Sequence, residues 1–225
     1  MIRLVFFDID GTLVHTGRAG VRAFNRVAEL QFGKPGGFER FQFAGRTDSG
    51  LVREFFSLHR IDPTPENFER FFLGHVHWLD HILASSAAEE CPGVRAFIRE
   101  LQDLPNPPLL GLLTGNIRLG AEIKLRHFGL WDFFTVGAFA EDSENRDEIA
   151  AVARSRGCRF LGEDIRNDQV LVIGDTPLDV RCARAIGAKV LAVATGGATF
   201  DELRRHHPDW TVENLTKIRA GEVTG

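Results

Sequence analysis

Five short apolar runs alternate along the chain with segments of helical period, and that alternation limits the fold more than any other feature. RLVFF (3–7), PPLLGLLT (107–114), DFFTVGAF (132–139), DQVLVIGD (168–175) and AKVLAVAT (188–195) have the length and composition of strands buried on both faces. Interleaved with them are VRAFIRELQDL, RLGAEIKLRHFGL, ENRDEIAAVARSRG and PLDVRCARAIG, in which apolar residues recur at helical spacing. Three of these four end at or near a glycine suited to cap a helix. Strands alternating with helices predict an α/β fold, a doubly wound, Rossmann-like parallel sheet with helices on both faces.

Residues 15–87 break the alternation. VRAFNRVAELQF, LVREFFSLHR and ENFERFFLGHVHWLDHILASSA carry apolar stripes at helical period, and no strand pattern falls among them. The expected organisation is therefore a core of residues 1–14 and 88–225, interrupted by an all-helical cap over 15–87. HTGRAG and EECPGV, short segments bearing glycine, would serve as hinges. The paired phenylalanines, Phe55 with Phe56 and Phe71 with Phe72, read as the interior of the insertion.

Composition excludes several classes. A net charge of −4 argues against a polyanion-binding surface, so nucleic acid is not an expected partner. The apolar start MIRLVFF meets Asp8 too early for a signal segment or a membrane span, which predicts a cytoplasmic protein with no membrane partner. Cys91, Cys158 and Cys182 are odd in number and lack metal-ligand spacing, so they read as core thiols. His77 and His81 have the i, i+4 spacing of a metal pair, but beside Trp78 and Leu79 they fit the polar margin of a packing face better.

Aspartate carries the chemistry. Asp8 and Asp10 sit where the first apolar run ends, and Asp175 and Asp179 follow the fourth, each pair beside a glycine. Strand period points Asp8 and Asp10 the same way, and parallel strands bring both pairs to one edge, where open α/β sheets bind ligands. Any one of these acids alone would suit a turn or a helix cap. Four converging carboxylates call instead for a hard cation such as Mg²⁺, which binds carboxylates together with a substrate phosphate.

In this setting DIDGTL (8–13) resembles the DxDGTL motif of the haloacid dehalogenase superfamily. LLTGN (112–116) is similar to its second motif, GDTPLD (174–179) to its last, and the helical insertion to the cap of phosphoglycolate phosphatases and β-phosphoglucomutases. The resemblance implies a Mg²⁺-dependent phosphatase acting on a small phosphorylated metabolite, as monomer or homodimer. Asp8 would be the nucleophile and Asp10 the general acid and base. Mg²⁺ would be held by Asp8, the Asp10 carbonyl and Asp175, with Asp179 in support; Thr114 and the N–H groups of Gly115 and Asn116 would hold the phosphoryl group. A phosphomutase and a non-catalytic phosphometabolite-binding protein are the alternatives.

The family's third-motif lysine is missing. Arg146, at a helix start, is the candidate replacement; Lys124 is the second choice, since its mid-helix position suits a side chain that reaches out to solvent. In AGRTDSG (44–50), Arg46, Thr47 and Asp48 occupy a loop similar to the one with which capped relatives touch substrate, although Thr47 or Asp48 equally suits a plain helix cap. His15 and Arg18 near the first hinge are further candidates for the cleft. The insertion's only lysine, Lys34, lies in a distal loop, which disfavours phosphonate cleavage through a Schiff base.

Overall fold

The computed structural model describes residues 1–225. In chain order it contains β1 (Leu4–Phe7), β2 (Val14–His15), α1 (Ala19–Phe32), α2 (Asp48–His59), α3 (Pro65–Leu83), β3 (Glu89–Glu90) and α4 (Val94–Gln102). There follow β4 (Leu109–Leu113), α5 (Arg118–His127), β5 (Val136–Ala138), α6 (Arg146–Leu161), β6 (Val170–Gly174), α7 (Pro177–Ala185), β7 (Lys189–Val193), α8 (Phe200–Arg205), β8 (Trp210–Val212) and α9 (Ala220–Thr224).

Six strands form one parallel sheet in the order β5-β4-β1-β6-β7-β8. The sheet carries an apolar core on each face because successive strand side chains point opposite ways. Val5 and Phe7 of β1 join the helices α4, α5 and α9 on one side, while Leu4 and Phe6 join α6, α7 and α8 on the other. Strand order reverses at β1, which pairs with β4 on one side and β6 on the other, so the crevice beyond its C-terminal end is the position where such folds bind ligands. The Asp8 N–H continues the ladder by donating to the Ile173 carbonyl at 2.9 Å. This fixes the end of β1 beside the end of β6.

Helices α1, α2 and α3 enclose a separate apolar cluster in which Phe24, Phe38, Phe55, Phe56 and Phe71 are all buried. Phe71 alone has ring neighbours in Phe24, Phe32, Phe38, Phe55 and Phe56. The chain enters and leaves this helical unit through the antiparallel pair β2 and β3, with Val14 opposite Glu90 and His15 opposite Glu89. The two crossings thus lie side by side, close to Asp10.

Sequence pattern and structure differ in places. Of the run 132–139 only Val136–Ala138 joins the sheet; Trp131–Phe133 makes a 3₁₀ turn, because Trp131, Phe133 and Phe134 pack down on the core of the α5 face. The edge strand β8 and the two-residue strands β2 and β3 are too short to leave a periodic signature. No helix is long and apolar enough to cross a membrane.

The phenylalanine cluster makes a direct prediction. Phe71→Ala should cost about 3–5 kcal/mol of stability, the usual range for emptying a buried aromatic site, read as a shift in urea midpoint. A loss near zero would show that the cluster is not a packed core.

Candidate active site

The end of β1 delivers Asp8, buried, to a point where its carboxylate meets those of Asp175 and Asp179; one ligand oxygen from each lies within 4.8 Å of the others. Asp175 follows β6 and is held at both oxygens: Thr12 Oγ1 donates to Oδ1 at 3.0 Å and the Gly197 N–H to Oδ2 at 2.6 Å. The turn after Asp10 must pass close by. Gly11 makes it with φ +83°, and a Cβ there would stand 2.6 Å from Asp175 Oδ2, so only glycine fits both the left-handed backbone and the space.

Asp179 lies in the first turn of α7 and closes a capping box, accepting from Thr176 N–H at 2.9 Å and Thr176 Oγ1 at 2.7 Å. Its other oxygen accepts from Arg146, the first residue of α6. Arg146 is buried and its guanidinium also reaches Asp8 Oδ2 at 3.2 Å. Its burial rules out the solvated alternative: it is an interior cation shared by two aspartates.

Three acids against one guanidinium leave the site short of positive charge. Burial raises the Asp8 pKa to about 6, with Arg146 pulling it down and Asp179 pushing it up. Burial also lifts Asp175 well above the carboxylate range, and the neighbouring Asp179 and Asp8 add to the rise. A divalent cation among these oxygens would discharge the repulsion, and an all-oxygen donor set suits Mg²⁺.

Asp10 has a different partner from Asp8. β1 has ended before it, so strand period no longer governs its direction, and its Oδ2 accepts from Lys124 Nζ at 2.5 Å and from Asn116 Nδ2 at 2.9 Å. Burial pushes the Asp10 carboxyl up, but the Lys124 ammonium and the two hydrogen bonds outweigh it and hold the group below its ordinary value. Lys124 is 4% exposed and does not reach solvent, contrary to the expectation from its mid-helix position. The signal was in the sequence: it shares the buried stripe of α5 with Gly120, Ala121 and Leu125, where a lysine needs a partner.

Thr114, fully buried after β4, accepts from Asn116 N–H at 3.3 Å and Asn116 Nδ2 at 2.8 Å. Between them Gly115 is pressed against the helical unit. A Cβ there would overlap the Arg46 carbonyl oxygen, so a side chain at Gly115 would force the two parts of the molecule apart. The first turn of α2 docks at this place. Asp48 N–H donates to Gly115 O at 2.7 Å, Ile117 N–H to Asp48 Oδ2 at 2.8 Å, Ser49 Oγ to Ala140 O at 2.9 Å and Thr47 Oγ1 to Glu144 O at 3.0 Å.

These contacts correct the reading of the AGRTDSG loop. Thr47 caps α2, accepting from Gly50 N–H, and its hydroxyl faces a core loop instead of the cleft. Arg46 lines the cleft but is drawn to Glu54 of α2 at 2.5 Å. Asp48 lines it too, as do His15, Arg18 and His75, a buried histidine at the i+4 position from Phe71 on the inner stripe of α3. His77 and His81 are exposed and pack on Trp78. Asp8, Asp10, Asp175, Thr114, Gly115, Asn116, Lys124 and Arg146 all border the same cleft of about 400 Å³.

Residues 5–193 match the family model for haloacid dehalogenase-like hydrolases. The chain is 25% identical over 222 residues to pyrophosphatase PpaX of Bacillus pumilus, covering 97% of this chain and 95% of that protein. It is 28% identical over 224 residues to the phosphoglycolate phosphatase of Chromobacterium violaceum, at 96% and 95% coverage. Among solved structures, CbbY from Rhodobacter sphaeroides bound to xylulose-(1,5)bisphosphate superposes with a TM-score of 0.74 at 19% identity, covering 96% of each chain, a likeness of fold.

Asp48 gives the site a pH signature. Burial raises its pKa from 3.8 to about 7, with Lys124 and the Ile117 N–H opposing, and Asp10 and Glu141 reinforcing, the rise. The folded protein therefore keeps a proton that the unfolded chain releases, so this group's effect turns against folding as pH climbs from about 4 to about 7. An asparagine can still accept from Ile117 and has no charge to bury. Asp48→Asn should gain on wild type by up to about 1.4 kcal/mol per pH unit across that window, measured by urea unfolding at pH 5 and pH 7; an unchanged difference would contradict it.

Proposed function

The chain belongs to the haloacid dehalogenase-like hydrolases, and from that membership we propose that it is a Mg²⁺-dependent phosphatase hydrolysing a small phosphorylated metabolite through an aspartyl-phosphate on Asp8. The observation that carries the reading is the placement of Asp8: a buried carboxylate at the switch point of the sheet, beside Asp175 and Arg146, opening on a cleft covered by the helical unit. Relatives named as phosphatases and pyrophosphatases cover nearly the whole chain, which supports phosphoryl transfer to water.

Asp8 attacks phosphorus as the bond from phosphorus to the ester oxygen breaks, and Asp10 gives a proton to that departing oxygen. Water then attacks the aspartyl-phosphate, Asp10 takes its proton, and Asp8 and inorganic phosphate are released. The proton that Asp10 gains in the second step replaces the one lost in the first. Thr114 and the N–H groups of Gly115 and Asn116 would hold phosphoryl oxygens; Arg146 keeps a fixed positive charge beside Asp8.

Mg²⁺ would be held by the Asp8 and Asp175 carboxylates and the Asp10 carbonyl, while Asp179 supports the site by fixing Arg146. When bound, it supplies neutralising charge for the phosphoryl group and the nucleophile. The Asp48 and Ser49 contacts hold the first turn of α2 against the core, so that the helical unit covers one side of the cleft. The relatives' names offer two leaving groups to try first, phosphate from pyrophosphate and glycolate from phosphoglycolate. A cytoplasmic location fits such substrates.

A panel of phosphate monoesters and pyrophosphate, assayed with Mg²⁺, tests the reading. Wild type should turn over at least one member, EDTA should abolish turnover reversibly, and Asp8→Asn should lower it by more than about 10⁴-fold, as loss of a nucleophile does. Arg146→Met should cost about 10²–10³-fold, the usual effect of removing a charge-stabilising group. Full activity in Asp8→Asn would remove the proposed nucleophile; transfer of phosphate to a bound sugar phosphate instead of water would make the protein a mutase.

A further inference from the structure

Two buried cations serve three aspartates, and they do not share the work. Arg146 stands on Asp8 and Asp179, whereas Lys124 stands on Asp10 alone among the acids, at 2.5 Å from Oδ2. The same ammonium donates to Asn116 Oδ1 at 2.5 Å, and Asn116 Nδ2 donates in turn to Asp10 Oδ2 and Thr114 Oγ1. Both bonds to the Asp10 carboxylate fall on Oδ2. Oδ1 accepts none, and the side chain is 44% exposed along the cleft, against 5% for Lys124.

Burying an ammonium for the sake of stability is a poor exchange, because desolvation consumes most of the attraction and an apolar side chain of like length would fill the α5 stripe at lower cost. We propose that Lys124 is a positioning residue: with Asn116 it clamps Asp10 by one oxygen, so that the free oxygen faces the substrate's ester oxygen and carries the proton. The inference rests on the proposed phosphatase activity. In the step it serves, the proton leaves Asp10 Oδ1 for the ester oxygen as the bond to phosphorus breaks and the Asp8 carboxylate bonds to phosphorus.

A clamp on a proton donor matters only where the leaving group needs a proton. An alkoxide needs one; p-nitrophenolate leaves readily without it. The test compares kcat/KM, which reports events up to formation of the phosphoenzyme, for p-nitrophenyl phosphate and for the faster of 2-phosphoglycolate and glycerol 3-phosphate. Lys124→Met should lower the alkyl value by about 10²-fold or more, within the range of general acid catalysis, and the aryl value by less than about threefold.

Asp10→Asn should show the same selectivity, and adding Lys124→Met to it should cost nothing further, as two residues acting through one group are non-additive. Lys124→Gln, which retains a donor for Oδ2, should recover part of the alkyl activity and carries the same test if the methionine variant does not fold. Equal losses on both substrates, or losses that multiply in the double variant, overturn the role of Lys124 and leave the phosphatase reading standing. Wild type inactive on every phosphate ester and on pyrophosphate overturns both.

Discussion

Asp8, Asp175 and Asp179 share a buried space in which each repels the others, and the rest of the site is arranged around that repulsion. Main-chain and hydroxyl donors hold Asp175, a capping box holds Asp179, and the Arg146 guanidinium ties Asp179 to Asp8. None of this removes the charge excess. A group with vacant demand for positive charge, fixed by a sheet that cannot move, is well matched to a divalent cation and a phosphoryl group arriving together.

The fold supplies the rigidity that this repulsion needs. β1 is buried between β4 and β6, so Asp8 is anchored to a fully enclosed strand. The helical unit is held by a two-residue ribbon, by the first turn of α2 against the loops after β4 and β5, and by α3 on α5, where Ile123 packs against the cluster of Ala19, Ala23, Leu79 and Leu83. The contacts of the α2 turn are polar, and they depend on Gly115 leaving room for the Arg46 carbonyl.

The sequence made the alternation of strands and helices plain, and with it the convergence of Asp8 with Asp175 and Asp179, because both follow from the order and direction of parallel strands. The turn of Asp10 toward Lys124 was not legible, since β1 ends before it. Arg146 was legible as a basic residue at a helix start near the right strand. Lys124 was harder: its place on the Ala121 and Leu125 stripe was visible, but the carboxylate that justifies a lysine there lies 114 positions away. Thr47 was ambiguous in a different way, since a substrate loop and a helix cap use the same residue types. Its hydroxyl also reaches the Glu144 carbonyl, 97 positions away, a contact no local pattern contains. β2 and β3 are two residues each and owe their pairing to the position of the helical unit.

The most direct test is a crystal structure grown with Mg²⁺ and beryllium fluoride, which mimics a phosphoryl group on a carboxylate. If Asp8 is the nucleophile in a carboxylate cradle, BeF₃⁻ will be bonded to an Asp8 oxygen, with the metal between Asp8 and Asp175 and Arg146 still in place. Density for BeF₃⁻ on another residue, or a metal that ignores Asp175, would contradict it.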